Sequence, residues 1–338
     1  MQRFLVVGLG SIGKRHVQNL RTLFPSAEIT VLRHQWTAGM VVPSELGCDA
    51  CVGNMEDALA KKPQAAIIAN PASHHLLSAM PLAAAGVHLL VEKPLSIAPD
   101  GVDELLAVCK ENHIILMVGY NLRFLKSLQQ FRAFINEGLV GRVLSVRAEV
   151  GQYLPTWRPD ADYRQGVSAQ RRLGGGVLLE LSHDIDYLLW LFGTVSSVTA
   201  LLGQQGDLDI DVEDTAHLLL RFTSSRQQEE MVATLSMDFI RRDPRRQCKV
   251  IGSHGTLVWD GIAGTVTIYE PQQERWRELF SEQPDRNYTY LQELKHFIES
   301  VDTAQEAPIS GWDGKAVLEV VTAARRSSEL GESITVGS

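Results

Sequence analysis

The first 120 residues alternate between short unbroken apolar runs and longer stretches with apolar residues at helical spacing. Phe4-Leu5-Val6-Val7 is the first such run, and "EITVL", "AAIIAN", "HLLVEKP" and "IILMVGYN" follow it. Runs without polar alternation predict strands buried on both faces, as in a parallel sheet with helices on either side. Between them, His16, Val17 and Leu20 continue at helical spacing. "HHLLSAMPLAAAG" reads as a helix ending at Gly86, and "DGVDELLAVCKENH" as a helix with Leu105, Leu106 and Cys109 on its apolar side. Repeated β-α-β units predict an α/β Rossmann domain, a doubly wound parallel sheet, over residues 1–121.

Beyond that point the pattern changes. "SLQQFRAFINEGLVG" is amphipathic and closes at Gly138. "RVLSVRAEVGQY", "SVTALLG", "DTAHLLLRF", "EEMVATLSMDF", "QCKVIGSHGTLVWD" and "GTVTIYE" then alternate as half-buried antiparallel strands do. Residues 122–338 are expected to form an α+β domain with a large, mostly antiparallel open sheet. One face would carry helices. The other would be a subunit interface, since a broad apolar sheet face is rarely left in water. A last helix near 314–330 is expected to pack back on the first domain.

Composition narrows the function. The 338 residues suit roughly two domains at ~100–200 residues each. A formal charge of -8 argues against a nucleic-acid partner, which needs a basic face. Arg241, Arg242, Arg245 and Arg246 do cluster, but Asp243 and Pro244 interrupt them; a solvated loop and a site for a phosphate-bearing ligand are the two readings. No apolar stretch approaches the ~18–20 residues of a membrane span, and the strand pattern begins at once without a leader, so a cytoplasmic protein is expected. Cys48 and Cys51 form a C-x-x-C with no second pair to complete a zinc site. They read as ordinary small residues, and no metal is expected.

Three segments carry candidate chemistry. Gly8, Gly10 and Gly13 follow the G-x-G-x-x-G spacing between a strand and a helix, where free N–H groups and the positive end of the helix dipole would face a pyrophosphate. "LVEKPLS" ends a strand in Glu92-Lys93-Pro94. At the carboxyl edge of a parallel sheet, Lys93 would stabilise negative charge on a substrate oxygen, and the alternative is a surface lysine in a turn. "GGGVLLELSHDIDYLLWLFG" reads as a helical run placing Glu180 and His183 as i,i+3 neighbours on one face. Histidine takes a proton from an alcohol near neutral pH and a carboxylate supports it; a bridge between turns is the alternative. Before this run lies a segment too long for a plain connector, with Tyr153, Trp157, Arg158, Tyr163 and Arg164. It suits a polar ligand or an arm to a neighbouring subunit.

Together "GLGSIGKRH", "NPASHHLLSAMPLAAAGVHLLVEKPLS", "YNLRF", "INEGLVGRV" and "GGGVLLELSHDID", in this order, resemble the Gfo/Idh/MocA family over nearly the whole chain. The resemblance implies NAD(P)-dependent transfer of hydride at a hydroxyl or ketone of a sugar, cyclitol or nucleotide sugar, by a homodimer or homotetramer joined through the open sheet. It implies cofactor contacts from Gly8, Gly10, Ser11, Ile12, Gly13, Asn70, Pro71, His75, Glu92, Lys93 and Pro94, and a catalytic role for His183 with Lys93, the two meeting over the nicotinamide. Asn121 and Arg123 of "YNLRF" are further candidate substrate contacts, alongside Lys93, His183 and the aromatic–arginine segment. Two departures from the family pattern stand out. Many members carry an aspartate four residues before the histidine, whereas position 179 here is Leu179, which leaves Glu180 as the candidate helper. An acid is also expected after the second strand to hold the ribose of NAD. The chain instead runs Leu32-Arg33-His34-Gln35, so Arg33 and His34 become cofactor candidates. Arginine there suits the 2′-phosphate of NADP, which is slightly favoured, while stacking of the guanidinium on adenine keeps NAD open. The alternatives to a dehydrogenase are an NAD-dependent glycoside hydrolase that oxidises transiently and a cofactor-sensing protein without catalysis.

Overall fold

The computed structural model describes residues 2–34, 36, 47–223, 230–283 and 285–337. The chain forms two compact units: Met1–Asn121 with Arg286–Leu318, and Leu122–Asp285 with Glu319–Ser338.

The first unit is built on six parallel strands: β1 (Arg3–Val7), β2 (Glu28–Leu32), β3 (Ala50–Val52), β4 (Ala65–Ile68), β5 (His88–Glu92) and β6 (Leu116–Gly119). Their order is β3-β2-β1-β4-β5-β6, so the direction of winding reverses beside β1. The apolar runs form the strands because both of their faces are covered: Leu5, Val6, Ile67, Ile68, Leu89, Leu90 and Val91 are all fully buried. Each such side chain contributes about 1.5–3 kcal/mol relative to exposure. Helices α1 (Ser11–Leu23), α2 (Met55–Ala60), α3 (His75–Ala84) and α4 (Val102–Glu111) make the crossovers. Gly86, at φ 81°, ends α3 in the left-handed conformation its sequence position suggests.

In the second unit, α5 (Lys126–Asn136) precedes β7 (Val143–Gly151), and a string of 3₁₀ turns leads to α6 (Val177–Glu180) and α7 (His183–Phe192). Strands β8 (Thr194–Gly203), β9 (Thr215–Thr223), β10 (Glu230–Asp238), β11 (Arg245–Gly252), β12 (Thr256–Asp260), β13 (Thr265–Glu270) and β14 (Arg275–Ser281) follow. The chain ends with α8 (Arg286–Thr303), α9 (Gly311–Leu330) and β15 (Ile334–Thr335). The nine strands run β14-β13-β12-β11-β7-β10-β9-β8-β15. All pairs are antiparallel except β7 with β10. The alternation in β9 is strict: Leu218, Leu220 and Phe222 are buried, while His217, Leu219 and Arg221 face out. Leu201 of β8, 70 % exposed, joins Leu219 on an open apolar face.

Several elements escape the sequence pattern: β3, α2, α8, β14 and β15. Strand β14 has no buried residue to reveal it. The run from Val177 to Phe192 also departs from expectation. It is two helices, broken at Leu181-Ser182, so Glu180 and His183 are not i,i+3 neighbours on one continuous helix. Among the described residues, no helix is long and apolar enough to cross a membrane.

Candidate functional site

The glycine turn in the first unit has a separate reason for each glycine. Gly8 has φ 94°, and a Cβ there would lie 2.8 Å from Ala69 O and Asn70 N, so its bare backbone lets the ends of β1 and β4 approach. A Cβ on Gly13 would strike the Gly8 carbonyl. Gly10 differs from both. Its φ of -69° suits any residue, and a Cβ there would meet nothing within 4 Å. What its lack of a side chain preserves is open space in front of α1. Gly10 is the N-cap of that helix and supplies no capping side chain, and the first turn holds no acid. Ser11, Ile12 and Gly13 therefore present N–H groups outward with the positive dipole end, which fits the pyrophosphate of a dinucleotide.

At the carboxyl end of β2, Arg33 and His34 are exposed, with the Arg33 backbone N–H donating to Val52 O at 2.9 Å. Gln35 lies outside the described residues. Cys48 and Cys51 have Sγ atoms 3.8 Å apart and both are free thiols. Burial pushes both up, Cys51 to about 12, so neither is a thiolate near neutral pH.

The ends of β4 and β5 are tied by His75, which is 1 % exposed. Its Nε2 lies 2.9 Å from Asn70 O and its Nδ1 2.8 Å from Pro94 O. Burial lowers its pKa, against the pull of these carbonyls and of the Glu92 charge. His75 thus holds two strand ends together. Asn70 donates to Ser78 Oγ at 2.9 Å. The Lys93–Pro94 bond is cis, and Lys93 is half-buried. Glu92 turns inward: His16 Nε2, on α1, lies 2.7 Å from its Oε1. Asn121 is buried and donates to Thr289 Oγ1 at 3.0 Å.

In the second unit, the three glycines before α6 serve the turn. Gly174 (φ 86°) and Gly176 (φ 104°) are left-handed, and a Cβ on Gly176 would strike the Glu213 carboxylate, which accepts from Leu178 N at 3.3 Å. His183 opens α7 and is half-buried. The two acids after it are clamped. Arg123 forks onto Asp186, Nε to Oδ2 at 2.9 Å and Nη2 to Oδ1 at 2.6 Å. Arg246 reaches Asp184 Oδ2 through Nε at 3.2 Å and Nη2 at 3.1 Å. Two ion pairs thus fix the turn that carries His183. Arg123, only 7 % exposed, is engaged in this brace. Glu180 accepts from Ser168 Oγ at 2.9 Å.

The aromatic–arginine segment is tied to its own unit at most of its candidate residues. Trp157 packs edge-on against Phe239 at 5.3 Å and donates to Gln152 O. The Arg242 guanidinium lies 3.4 Å over the centre of the Tyr153 ring. The Tyr163 hydroxyl accepts from Asp209 N, and Arg164 pairs with Asp162. Arg158 is exposed. Arg241 and Arg245 both face Glu149, so the arginine cluster is internally paired.

The sequence reading missed α8. It brings Tyr290 and Glu293 beside His16 and Glu92, with one ligating-type atom from each of His16, Glu92 and Glu293 within 4.8 Å of the others. The signal was present: Glu293 sits one turn from Tyr290 and Phe297, on the buried stripe of the helix.

Comparison with known proteins agrees with this architecture. A family model described as "Oxidoreductase family, NAD-binding Rossmann fold" matches residues 2–120, and one described as "GFO/IDH/MocA C-terminal domain" matches residues 128–258. Myo-inositol 2-dehydrogenase of Thermotoga maritima is 27 % identical, covering 98 % of both chains. A levoglucosan dehydrogenase structure, in complex with NADH and L-sorbose, superposes with a TM-score of 0.87 at 18 % identity, covering 99 % of both chains. The WlbA dehydrogenase of Bordetella pertussis, in complex with NADH and UDP-GlcNAcA, gives 0.82 at 24 % identity over 100 % of this chain and 99 % of its own. With a glycine turn left open at Gly10 before α1, a doubly wound sheet and family models matching both parts of the chain, the protein belongs to the Gfo/Idh/MocA family of NAD-binding oxidoreductases.

Proposed function

We propose that the chain is a dehydrogenase or reductase that uses NAD(H) on a hydroxyl or ketone of a sugar, cyclitol or nucleotide sugar. The space kept open at Gly10, in front of uncapped N–H groups, is the observation that carries the cofactor half. The substrate class is drawn from the relatives, which are named for myo-inositol and levoglucosan or bound to a nucleotide sugar. When bound, the nicotinamide supplies or accepts the hydride. Lys93 donates a hydrogen bond to the reacting oxygen and stabilises the negative charge that grows there. His183 takes the hydroxyl proton in oxidation and returns it in reduction. Glu180 is a helper held by Ser168, acting from a helix separate from that of His183. Asp186 and Asp184, through Arg123 and Arg246, position His183; Arg123 acts there rather than on substrate. His75 and Glu92 likewise support the Lys93 turn from within. Arg33 and His34, exposed at the end of β2, are assigned to the adenosine ribose, where Arg33 also accommodates a 2′-phosphate. The apolar face with Leu201 and Leu219 is assigned to contact between copies of the chain, to be read by light scattering.

Calorimetry with NADH and NADPH tests the cofactor half. A Cβ on Gly10 touches no protein atom, so Gly10→Ala should fold normally and lose dinucleotide affinity. Unchanged affinity would place the cofactor elsewhere. With the substrate found by screening inositols, anhydrosugars and nucleotide sugars, Lys93→Ala and His183→Ala should each lower kcat by ~10²–10⁴-fold, with NADH affinity retained in His183→Ala. Unaltered turnover in His183→Ala would remove it from the chemistry.

A further inference from the structure

Glu293 has no role in the scheme above, yet it is fully buried on α8 and no donor among the described residues reaches either of its carboxylate oxygens. An ionised carboxylate in that setting is costly, because nothing replaces the water it lost. Its neighbours sharpen the problem. Glu92, at the end of β5, is a second buried acid within 4.8 Å. His16 on α1 places its Nε2 2.7 Å from Glu92 Oε1. The Arg15 guanidinium, from the same helix, lies 4.6 Å over the Tyr290 ring. Tyr290 itself has a raised pKa, through burial first and the two acids after it. From β6 comes Gly119, where a Cβ would stand 3.1 Å from Glu92 Oε2, and beyond it Asn121, bonded to Thr289. From α3 the buried His75 feels the Glu92 charge while bonded to two carbonyls. Of the two acids, Glu92 has His16 as a partner, while no donor among the described residues reaches Glu293.

We infer that Glu293 is a neutral carboxylic acid whose proton is held toward Glu92, and that it acts as a positioning residue for the β5 end that carries Lys93. The proton cancels one of two like charges that would otherwise repel within a sealed space. Glu92 then stays beside His16 and Gly119, and the strand end keeps its place. Burial, with the Glu92 charge second, raises the Glu293 pKa well above its ordinary 4.5, in keeping with this geometry. The linkage follows in sign. The folded state keeps a proton that the unfolded state loses near 4.5, so stability falls as pH climbs from there through the folded value. The cluster resembles a metal-binding set in its donor types, but a proton suffices to balance it. The inference about Glu293 stands on the cluster; only its link to Lys93 rests on the proposed function.

Infrared spectroscopy at neutral pH, thermal melts from pH 5 to 9 and NADH titrations over the same range, on the full chain and on Glu293→Gln, test it. The wild type should show a protonated-acid C=O band that Glu293→Gln lacks. Its melting temperature should fall more steeply with pH than that of Glu293→Gln. NADH affinity should weaken with rising pH in the wild type, by ~10-fold for each pKa unit of coupling, and stay flat in Glu293→Gln. If Glu293→Gln does not fold, the pH titration of the wild-type band decides. Absence of the band at neutral pH, or parallel melting curves, overturns the neutral acid. So does stabilisation by zinc or magnesium in the wild type alone, which would mean an ionised Glu293 ligating a cation. A band and slope with pH-independent NADH affinity overturn the positioning role. A folded wild type that binds no NADH at any pH overturns the proposed function, with the band and the melts still deciding Glu293.

Discussion

Arg123 and Asp186 are buried together in the second unit, 7 % and 1 % exposed, as a forked pair in which a full positive charge meets a full negative one. In the first unit, His16, Glu92 and Glu293 are buried to a similar degree, but with two acids to one imidazole. The first arrangement is balanced by geometry: the fixed fork of a guanidinium matches a carboxylate. The second has no such match and is balanced by a proton. The difference teaches that burial alone does not fix the charge of an acid. Asp186 and Glu293 are both sealed from water, and the donors that reach them decide their states.

Breaking the matched pair should have the largest effect. Arg123→Ala removes the forked partner of the buried Asp186, and a loss of about 3–5 kcal/mol is expected in urea unfolding. An Arg123→Met, Asp186→Leu double variant should recover most of it, since the charge and its partner leave together. A loss under about 1 kcal/mol in the single variant would mean that water enters the site. Arg246→Ala should cost less, about 1–3 kcal/mol, because the Arg246 side chain is 23 % exposed and solvent can reach toward Asp184 once it is gone. Equal costs for the two arginines would erase the distinction drawn from exposure. Smallest of all, Glu293→Gln at neutral pH should change stability by no more than ~1 kcal/mol, because an amide replaces a neutral acid of the same shape. A loss as large as that of Arg123→Ala would show that the two clusters are alike.

Much of the first unit was legible because its strands are buried on both faces, which leaves a continuous apolar run in the sequence, as in "AAIIAN" or "HLLVE". The glycine turn was legible for a similar reason, since backbone at φ 94° excludes other residues at Gly8. Glu180 and His183 were placed on one helix because the apolar spacing from Leu178 to Leu189 continues across the break at Leu181-Ser182. Spacing records which side of the chain is buried and is silent on where a hydrogen bond is skipped. Strand β14 failed the other way, with no buried residue and no period to read.

The two classes of sheet, the glycine turn and the motifs holding Lys93 and His183 can be read from the chain alone, because each depends on residues close together in it. Packing set β7 parallel to β10, placed Arg123 and Arg246 on the acids after His183, and tied Asn70 to Pro94 through His75. It alone brought Glu293 to Glu92, 201 residues earlier, and to His16. The charge of a buried group is set by the donors and dipoles around it, and those come from whichever segments the packing of the core places there.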